Sequence, residues 1–216
     1  MSGLTIVDYV TPSPTQWDMV IRGMRNSWES WSKGDSSLVD GEFDFGSADR
    51  ELALRLAKLG ADHGKYLRQL PVIVEIKAPG YWWREFDTYR VGVEASDITQ
   101  NSTSMMHMLG RDPVDASMFY FEDPESEAAK AVIAGVQAAR EAWIEAGKRK
   151  GPEAKAWRIL QQTVPYAWLY LRTVSFNYQV LRSIYHSRKN HRLAEWRTFC
   201  DWISSLPHAE LLISDN

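Results

Sequence analysis

The sequence predicts an α/β protein of the α+β type, a helix-rich single domain built around a small β-sheet. Several long segments repeat apolar residues at helical spacing, whereas one run alternates them as a strand does. The chain has 216 residues, of which 44% are hydrophobic, and these supply the core of one domain over residues 1–216. The sequence shows no internal repeat and no linker that would divide it.

Two helices are predicted in the first third of the chain. The first covers residues 14–33, and the second covers residues 48–59, with Ser47 as its N-cap and Gly60 as its C-terminal stop. The acidic, Gly-rich stretch GDSSLVDGEFDFGS between them is interpreted as a loop. The apolar positions of the first helix are Trp17, Val20, Ile21, Met24, Trp28 and Trp31.

A strand is predicted over LPVIVEIKAP, residues 70–79, because Val72, Val74 and Ile76 share one face and Pro79 ends the run. Two adjacent tryptophans and four charged side chains follow at once in APGYWWREFDTYR. The next segment, GVEASDITQNSTSMMHMLG, is polar and has no clear period. Long irregular segments are uncommon inside compact domains unless they bind something, so we expect this one to contact a ligand.

The second half of the chain is predicted to be helical. The longest helix covers residues 124–150, with Asp123 as its N-cap and Pro124 in its first turn. Another helix starts near residue 153, bends or restarts at Pro165 and continues to residue 187. A last helix carries apolar side chains at positions i, i+3, i+4 and i+7, which are Trp196, Phe199, Cys200 and Ile203.

Composition excludes several classes of protein. The net charge of −3 does not favour a nucleic-acid or membrane surface, so any anionic ligand must be held by a local cluster of cations. One cysteine builds no internal disulfide framework and fits a reducing compartment. The N-terminus MSGLTIVDYV has neither a basic start nor a long apolar run. We therefore expect a cytoplasmic protein.

Common ligand motifs find no support. GADHGKY has three residues between its glycines and a tyrosine after the lysine, so it is not a phosphate loop. No G-x-G-x-x-G follows a strand. The five histidines show no H-x-x-x-H pairing, so no metal site is predicted. Cys200 lies on an apolar helix face, where a cysteine usually packs as a small hydrophobe.

One basic run stands out in this acidic chain. LRSIYHSRKNHRLAEWR contains five Arg or Lys residues and a single acid, Glu195. The run is either a solvated helix face or a phosphate site, for which arginines offer bidentate donors. Arg84 and Arg90 add to the second interpretation, since aromatic rings beside arginines suit a planar phosphorylated ligand such as a nucleotide or a flavin. The cations of the run are Arg182, Arg188, Lys189, Arg192 and Arg197.

Three ordered segments within residues 60–206 resemble the flavin-dependent thymidylate synthases, the ThyX family. VEIKAPGYWWREFDTYR is similar to the strand-to-helix segment that enters the family signature. GADHGKYLRQLPVIVEIKAP resembles the segment before that strand and places His63 at the matching histidine. VPYAWLYLRTVSFNYQVLRSIYHSRKNHRLAEWRTFCDWI resembles the C-terminal half, and its matching residues are Pro165, Asn177, Arg188, His191 and Glu195.

The chain also departs from the family pattern. Thr88, Tyr89 and Arg90 stand where the family has Arg-His-Arg, and NSTSMMH replaces the rest of the signature. Gln161 and Gln179 replace two further arginines. The sequence therefore resembles a divergent branch of the kind often met in phage genomes, for which the compartment is the host cytoplasm.

The resemblance implies a ThyX-like fold, a homotetramer and FAD bound between subunits. NADPH reduces the flavin in such enzymes, methylenetetrahydrofolate donates a one-carbon unit, and C5 of dUMP receives it. The flavin mediates both steps, so no protein nucleophile and no catalytic side chain is expected. The implied cofactor-binding residues are His63, Tyr89, Arg90, Asn177 and His191. The implied substrate-binding residues are Arg84, Glu85, Asn101, Ser102, Ser104 and Arg188.

Other hypotheses remain open at this point. A close variant makes a 5-hydroxymethyl pyrimidine or acts on dCMP. A non-catalytic module would bind flavin or nucleotide through the retained arginines. A nucleic-acid-binding protein would use the basic run, although the net charge of −3 weighs against it.

Overall fold

The computed structural model describes residues 2–60, 62–90, 98–101 and 105–215, without the side chains of Tyr89 and Arg90. The described part contains a four-stranded antiparallel sheet with strand order β1-β4-β6-β5 and a separate two-stranded hairpin, β2-β3. Helices pack against the larger sheet, and the predicted helix-rich α+β class is confirmed. The strands are β1 (Thr5–Val10), β2 (Ser37–Val39), β3 (Glu42–Asp44), β4 (Pro71–Pro79), β5 (Thr99–Gln100) and β6 (Leu169–Asn177).

The longest strand pair, β4 with β6, forms the centre of the larger sheet. Strands β4 and β6 pair along their whole length, from Pro71 opposite Asn177 to Pro79 opposite Leu169. The predicted strand is confirmed, and its predicted face of Val72, Val74 and Ile76 is fully buried. The opposite face of the sheet carries exposed apolar side chains, which are Val10, Ile73 and Leu171.

The first helix is shorter than predicted. Helix α1 (Pro14–Gly23) is followed by two 3-10 turns, Asn26–Trp28 and Trp31–Lys33, so the predicted continuation to residue 33 is wrong. Glu29 has a left-handed backbone with φ of 46°, which breaks the helical path. Trp28 and Trp31 consequently point outward instead of extending the apolar stripe.

The stretch interpreted as a loop forms the β2-β3 hairpin, so that interpretation is wrong. Its turn is Asp40-Gly41, where both residues have positive φ, 52° and 84°. An Asp-Gly pair is a strong hairpin signal because both central positions of a type I′ turn require that conformation.

The second helix, α2 (Ser47–Lys58), matches its prediction except at its cap. Ser47 is the first helical residue and not the N-cap. The carboxylate of Asp35 instead accepts the backbone N–H groups of Ala48 (2.8 Å) and Asp49 (3.0 Å), which satisfies free donors at the helix start. Gly60, at φ 89°, ends the segment as predicted.

Two predictions in the second half are wrong. The longest helix starts after Ser126, whose side chain accepts the N–H of Ala129, and not after Asp123. It ends before a left-handed pair, Gly147 and Lys148. The helix predicted to continue beyond Pro165 is strand β6, which is held by its pairing with β4. The remaining helices are α3 (Gly80–Phe86), α4 (Met105–Arg111), α5 (Glu127–Glu145), α6 (Lys155–Thr163), α7 (Tyr178–Arg188), α8 (Ala194–Ser204) and α9 (Glu210–Ile213).

The last predicted helix is confirmed as α8, since Trp196, Phe199, Cys200 and Ile203 are all buried. This helix joins the main apolar cluster, which includes β4 and α3. A smaller cluster lies around Trp143 and Trp168. Within the described residues, no helix is both long and apolar enough to cross a membrane.

Candidate nucleotide and cofactor site

Helix α3 separates its aromatic side chains from its charged ones. Trp82, Trp83 and Phe86 are buried against the sheet, whereas Arg84 is exposed and Glu85 is half-buried. A short amphipathic helix directly after a strand thus packs its rings into the core and presents charge on its other face. The sequence WWRE therefore combines a core contact with a polar surface.

Three residues predicted to bind cofactor or substrate meet around one indole ring. Glu85 Oε2 accepts a hydrogen bond from Trp196 Nε1 at 2.9 Å. The guanidinium carbon of Arg188 lies 5.0 Å from the centre of the Trp196 ring, and His191 Nε2 lies 3.7 Å from Glu85 Oε2. We call Glu85, Arg188, His191 and Trp196 the indole cluster. It joins α3, the end of α7, the α7–α8 turn and the start of α8.

The imidazole of His191 is neutral at pH 7 and has a defined tautomer. Burial, and then the positive charge of Arg188, lowers its pKa below the ordinary value. The backbone N–H of Leu193 donates to His191 Nδ1 at 3.2 Å. Since Nδ1 accepts, the ring proton of the neutral imidazole is on Nε2. The cluster therefore presents a donor, His191 Nε2–H, beside an acceptor, the Glu85 carboxylate.

A second feature is a large cavity beside His63, which we call the His63 cavity. Its volume is about 970 Å³, within the size range of small-molecule and cofactor sites. Trp28, with 87% of its surface exposed, lies on its wall. Cationic side chains also line it, namely Arg25, Lys33, Arg55 and Lys65. An aromatic surface with several cations suits a planar ligand that carries phosphates.

Helix α7 connects the two features. The Asn177 side chain caps its start by accepting the N–H of Val180 at 3.0 Å. Gln179 lies beside Gly64, next to His63, since its Oε1 is 3.3 Å from the place a Gly64 Cβ would occupy. Arg188 ends the helix at the indole cluster. Arg188 comes nine positions after Gln179, which corresponds to about 13.5 Å along the helix axis.

The other predicted site residues lie elsewhere. Arg84 Nη1 donates to the Tyr166 hydroxyl at 3.0 Å, outside the indole cluster. Asn101 is exposed, and its backbone N–H donates to Thr173 O. Ser102, Ser104 and the side chains of Tyr89 and Arg90 lie outside the described residues.

The remaining chemically notable residues have structural roles. Arg182 of the basic run is buried and donates to the carbonyl of Leu211, so the run is not one continuous cationic surface. Glu195 is buried and accepts from the Tyr81 hydroxyl (2.7 Å) and the Gly3 N–H (3.1 Å). Cys200 is buried, and burial raises the pKa of its thiol to about 12. Among the described residues, no three His, Cys, Asp or Glu side chains form a group that suits a metal ion.

Two contributors were missed in the sequence. Trp196 was assigned only to the core, because its helical spacing gives no sign that the indole N–H holds Glu85. Trp28 was assigned to an apolar stripe and lies instead on the cavity wall. Trp28 could have been recognised only if the sequence had predicted that α1 ends at Gly23. No strong helix-stop pattern stands there.

Comparison with known proteins identifies the fold. No protein-family model matches the chain, and no curated protein sequence matches it. A solved structure of thymidylate synthase X (ThyX) from Helicobacter pylori with FAD and dUMP is similar, with a TM-score of 0.68 and 17% identity, over 99% of this chain and 98% of that one. A second, flavin-dependent thymidylate synthase ThyX from Helicobacter pylori complexed with FAD and dUMP, gives a TM-score of 0.65 and 16% identity over the same shares.

The fold is therefore that of an α/β protein in which helices pack against a small antiparallel sheet, and the similarity covers nearly the whole chain. More particularly, it is the ThyX fold, as the resemblance of the sequence segments implied. At this level of identity the similarity establishes the fold, and the activity rests on the site itself.

Proposed function

We propose that the protein is an FAD-dependent enzyme of the thymidylate synthase type. It transfers a one-carbon unit from methylenetetrahydrofolate to C5 of dUMP, uses NADPH as the reductant and serves dTMP biosynthesis. The observation that carries the proposal is the indole cluster. Glu85 is far in sequence from Arg188 and His191 and meets them around Trp196, on a fold whose solved examples contain FAD and dUMP.

In this proposal the indole cluster binds the nucleotide. Arg188 offers a planar set of N–H donors to the phosphate. Stacking on Trp196, with the ring centre 5.0 Å from the guanidinium carbon, restricts the orientation of those donors. Glu85 and His191 offer an acceptor and a donor to the polar edge of the pyrimidine. Anchoring at both ends would fix the position of C5.

The His63 cavity fits the flavin. Trp28 offers a flat surface for a ring system, and Lys33, Arg55 and Lys65 offer positive charge to phosphates. When bound, the flavin supplies the redox chemistry and mediates the carbon transfer. The protein residues bind and orient the ligands. Cys200, buried and with a raised thiol pKa, is not suited to act as a nucleophile, which agrees with chemistry that needs none.

We also propose a homotetramer with sites completed between subunits. The outer face of the sheet carries the exposed apolar side chains Val10, Ile73 and Leu171. Val10 lies directly opposite Ile73 in the β1-β4 register. Apolar surface of this kind is typical of protein interfaces. Sedimentation analysis tests the proposal, which predicts a mass four times that of the 24.8 kDa chain.

The activity is tested with purified protein that has been incubated with FAD and desalted. We expect a retained flavin absorption band whose shape changes on addition of dUMP. The reaction with methylenetetrahydrofolate and NADPH should then replace the hydrogen on C5 by a methyl group, detected by mass spectrometry as a nucleotide heavier by one CH2. A hydroxymethyl product would instead establish the variant without the reduction step.

Paired arginine variants make the test specific. Arg188→Gln should remove the nucleotide-dependent spectral change and lower activity by tenfold or more, since one charge-assisted contact contributes about 1.5–3 kcal/mol. Arg192→Gln removes the same charge from the same run, but from an exposed side chain, and should behave as the unsubstituted protein. A protein that retains no flavin, or equal effects of the two substitutions, would contradict the proposal.

A further inference from the structure

Within the described part of the chain, the Glu85 carboxylate accepts a hydrogen bond through one of its two oxygens. Its Oε2 accepts from Trp196 Nε1 and faces His191 Nε2 at 3.7 Å. Its Oε1 makes no hydrogen bond with the residues that the structure describes, and 35% of the side chain is exposed. An ionised carboxylate only accepts hydrogen bonds. Glu85 therefore presents an anionic acceptor at the surface of the indole cluster.

The neighbouring donor has a fixed position. His191 is neutral and carries its proton on Nε2, because Nδ1 accepts the N–H of Leu193. The pair therefore has a fixed polarity, with the acceptor on α3 and the donor on the α7–α8 turn. A carboxamide at the same place would differ, since it can rotate by half a turn and exchange its donor and acceptor.

The two pyrimidine bases differ in how they meet such a pair. Cytosine has an exocyclic amino group at C4, flanked by the acceptor N3 and by C5–H. The amino group can donate to Glu85 while N3 accepts from His191. Uracil has one N–H on this edge, N3–H, flanked on both sides by carbonyl oxygens. An anionic carboxylate at N3–H meets two partial negative charges, and acidic side chains typically accept from the cytosine amino group.

We propose that Glu85 selects the base at this site and makes dCMP the preferred pyrimidine nucleotide over dUMP. The inference rests on the proposed function, in which the indole cluster binds a pyrimidine nucleoside monophosphate. It keeps the proposed one-carbon transfer to C5 and replaces dUMP by dCMP as the preferred acceptor, which is the dCMP-acting variant that the sequence left open. Both nucleotides share the sugar and the phosphate that Arg188 would hold.

Calorimetric titration of the FAD-loaded protein with dCMP and with dUMP tests the inference. The Kd for dCMP should be lower by about tenfold, the lower end of the discrimination that a good base contact provides. Glu85→Gln should bring the two Kd values to within about threefold, because the amide presents either polarity. Glu51→Gln, a change at an exposed glutamate of α2, should leave the ratio unchanged.

The ratio of the two Kd values separates base selection from damage to the fold, which would weaken both nucleotides together. Tighter binding of dUMP than of dCMP, or a ratio that Glu85→Gln leaves unchanged, would overturn the inference and leave the proposed function standing. Binding of neither nucleotide by the FAD-loaded protein would overturn both.

Discussion

The guanidinium of Arg172, in strand β6, lies 4.3 Å from the centre of the Trp83 ring in helix α3. Its Nη1 donates to Asp87 Oδ1 at 3.0 Å and to Gln100 Oε1 at 3.2 Å. Asp87 follows directly after α3, and Gln100 lies in β5. Arg172 thus links the sheet to Asp87 and Gln100, which come directly before the two places, Thr88 to Arg90 and NSTSMMH, at which the chain departs from the ThyX signature.

Substitution of Arg172 should destabilise the protein. Arg172→Gln removes a largely buried cation–π contact, since only 12% of the Arg172 side chain is exposed, and an ion pair with the exposed carboxylate of Asp87. We expect the free energy of unfolding to fall by about 2 kcal/mol, measured by urea denaturation. Arg68→Gln, at an exposed position, is the control and should change it by less than about 0.5 kcal/mol. Equal effects of the two changes would show that the Arg172 contacts contribute nothing.

The ion pair between Arg25 and Asp49 should be a larger source of stability. The pair is buried, with Nε to Oδ1 at 2.6 Å, and Asp49 Oδ2 also accepts the N–H groups of Asp35 and Ser36. Removal of one partner leaves a buried charge without compensation. Asp49→Ala should therefore lower the free energy of unfolding by about 3 kcal/mol. Asp40→Asn, which removes an exposed carboxylate and keeps a residue that tolerates the positive φ of 52°, should be nearly neutral.

The carboxylate of Asp49 should also make the stability of the protein depend on pH. Burial alone would raise the pKa of Asp49, but hydrogen bonds from Ser36 and Arg25 outweigh it, so the pKa lies below the ordinary value. Since the folded pKa is lowered, this stabilisation is complete above the unfolded pKa of about 4 and is lost as the pH falls through the folded pKa. Between pH 6 and pH 3, the free energy of unfolding measured by urea denaturation should fall less steeply for Asp49→Ala than for the unsubstituted chain.

The sequence predicted those helices and strands whose own apolar residues repeat with the period of the element. Strand β4 alternates apolar and polar residues, and α8 repeats its apolar residues at helical spacing, so both predictions are confirmed. Strand β6 was predicted as a helix because LYLRTVSFN has no clean alternation, and Leu171 is exposed. Its conformation is set by pairing with β4, nearly a hundred residues earlier. Such a non-local cause leaves a weak signal in the strand itself.

The candidate site was predictable only in part for the same reason. Glu85, Arg188 and His191 were selected from the resemblance, and the structure brings them together. Their meeting point, Trp196, was not predicted, because a buried indole that also donates a hydrogen bond has the same spacing as any core residue. Glu195 matches the family pattern, yet its carboxylate is buried and holds Tyr81 and the Gly3 backbone.

His208 should be a second source of the pH dependence of stability. Its ring lies against Trp17 at 4.6 Å, Phe45 at 5.0 Å and Phe43 at 5.9 Å between ring centres. Burial lowers its pKa. Because the folded pKa is lowered, the unfolded chain takes up the proton first as the pH falls below about 6.5. Stability should therefore decrease from that pH down to the folded pKa and level off below it.

His208→Asn tests this expectation, since asparagine tolerates the left-handed φ of 53° at this position. The variant should be less stable at every pH because it loses ring packing. The difference in its free energy of unfolding between pH 7.5 and pH 5.5 should nevertheless be smaller than in the unsubstituted protein. His107→Asn, at an exposed histidine of α4, should retain the full difference. An unchanged difference in His208→Asn would assign the pH dependence to other groups, such as His186 and His191, whose pKa values are also lowered by burial.

Asn177 allows a structural role and a cofactor role to be separated. Its Oδ1 caps α7 by accepting the Val180 N–H at 3.0 Å, whereas the resemblance to ThyX implies a contact with the flavin. Asn177→Ala removes both and should lower the free energy of unfolding by about 1 kcal/mol. Asn177→Asp keeps an acceptor at the helix start, where a negative charge is also favourable, and loses the amide donors. It should therefore keep the helix cap and lose flavin, measured as the flavin-to-protein absorbance ratio after desalting.

The matched control for Asn177 is Ser126, the N-cap of α5, whose side chain accepts the Ala129 N–H at 3.3 Å. Ser126→Ala should lower stability as Asn177→Ala does and leave the flavin ratio unchanged. If Asn177→Asp retains as much flavin as the unsubstituted protein, the amide of Asn177 does not bind the flavin. The flavin must then be held by the residues that line the His63 cavity, which do not include Asn177.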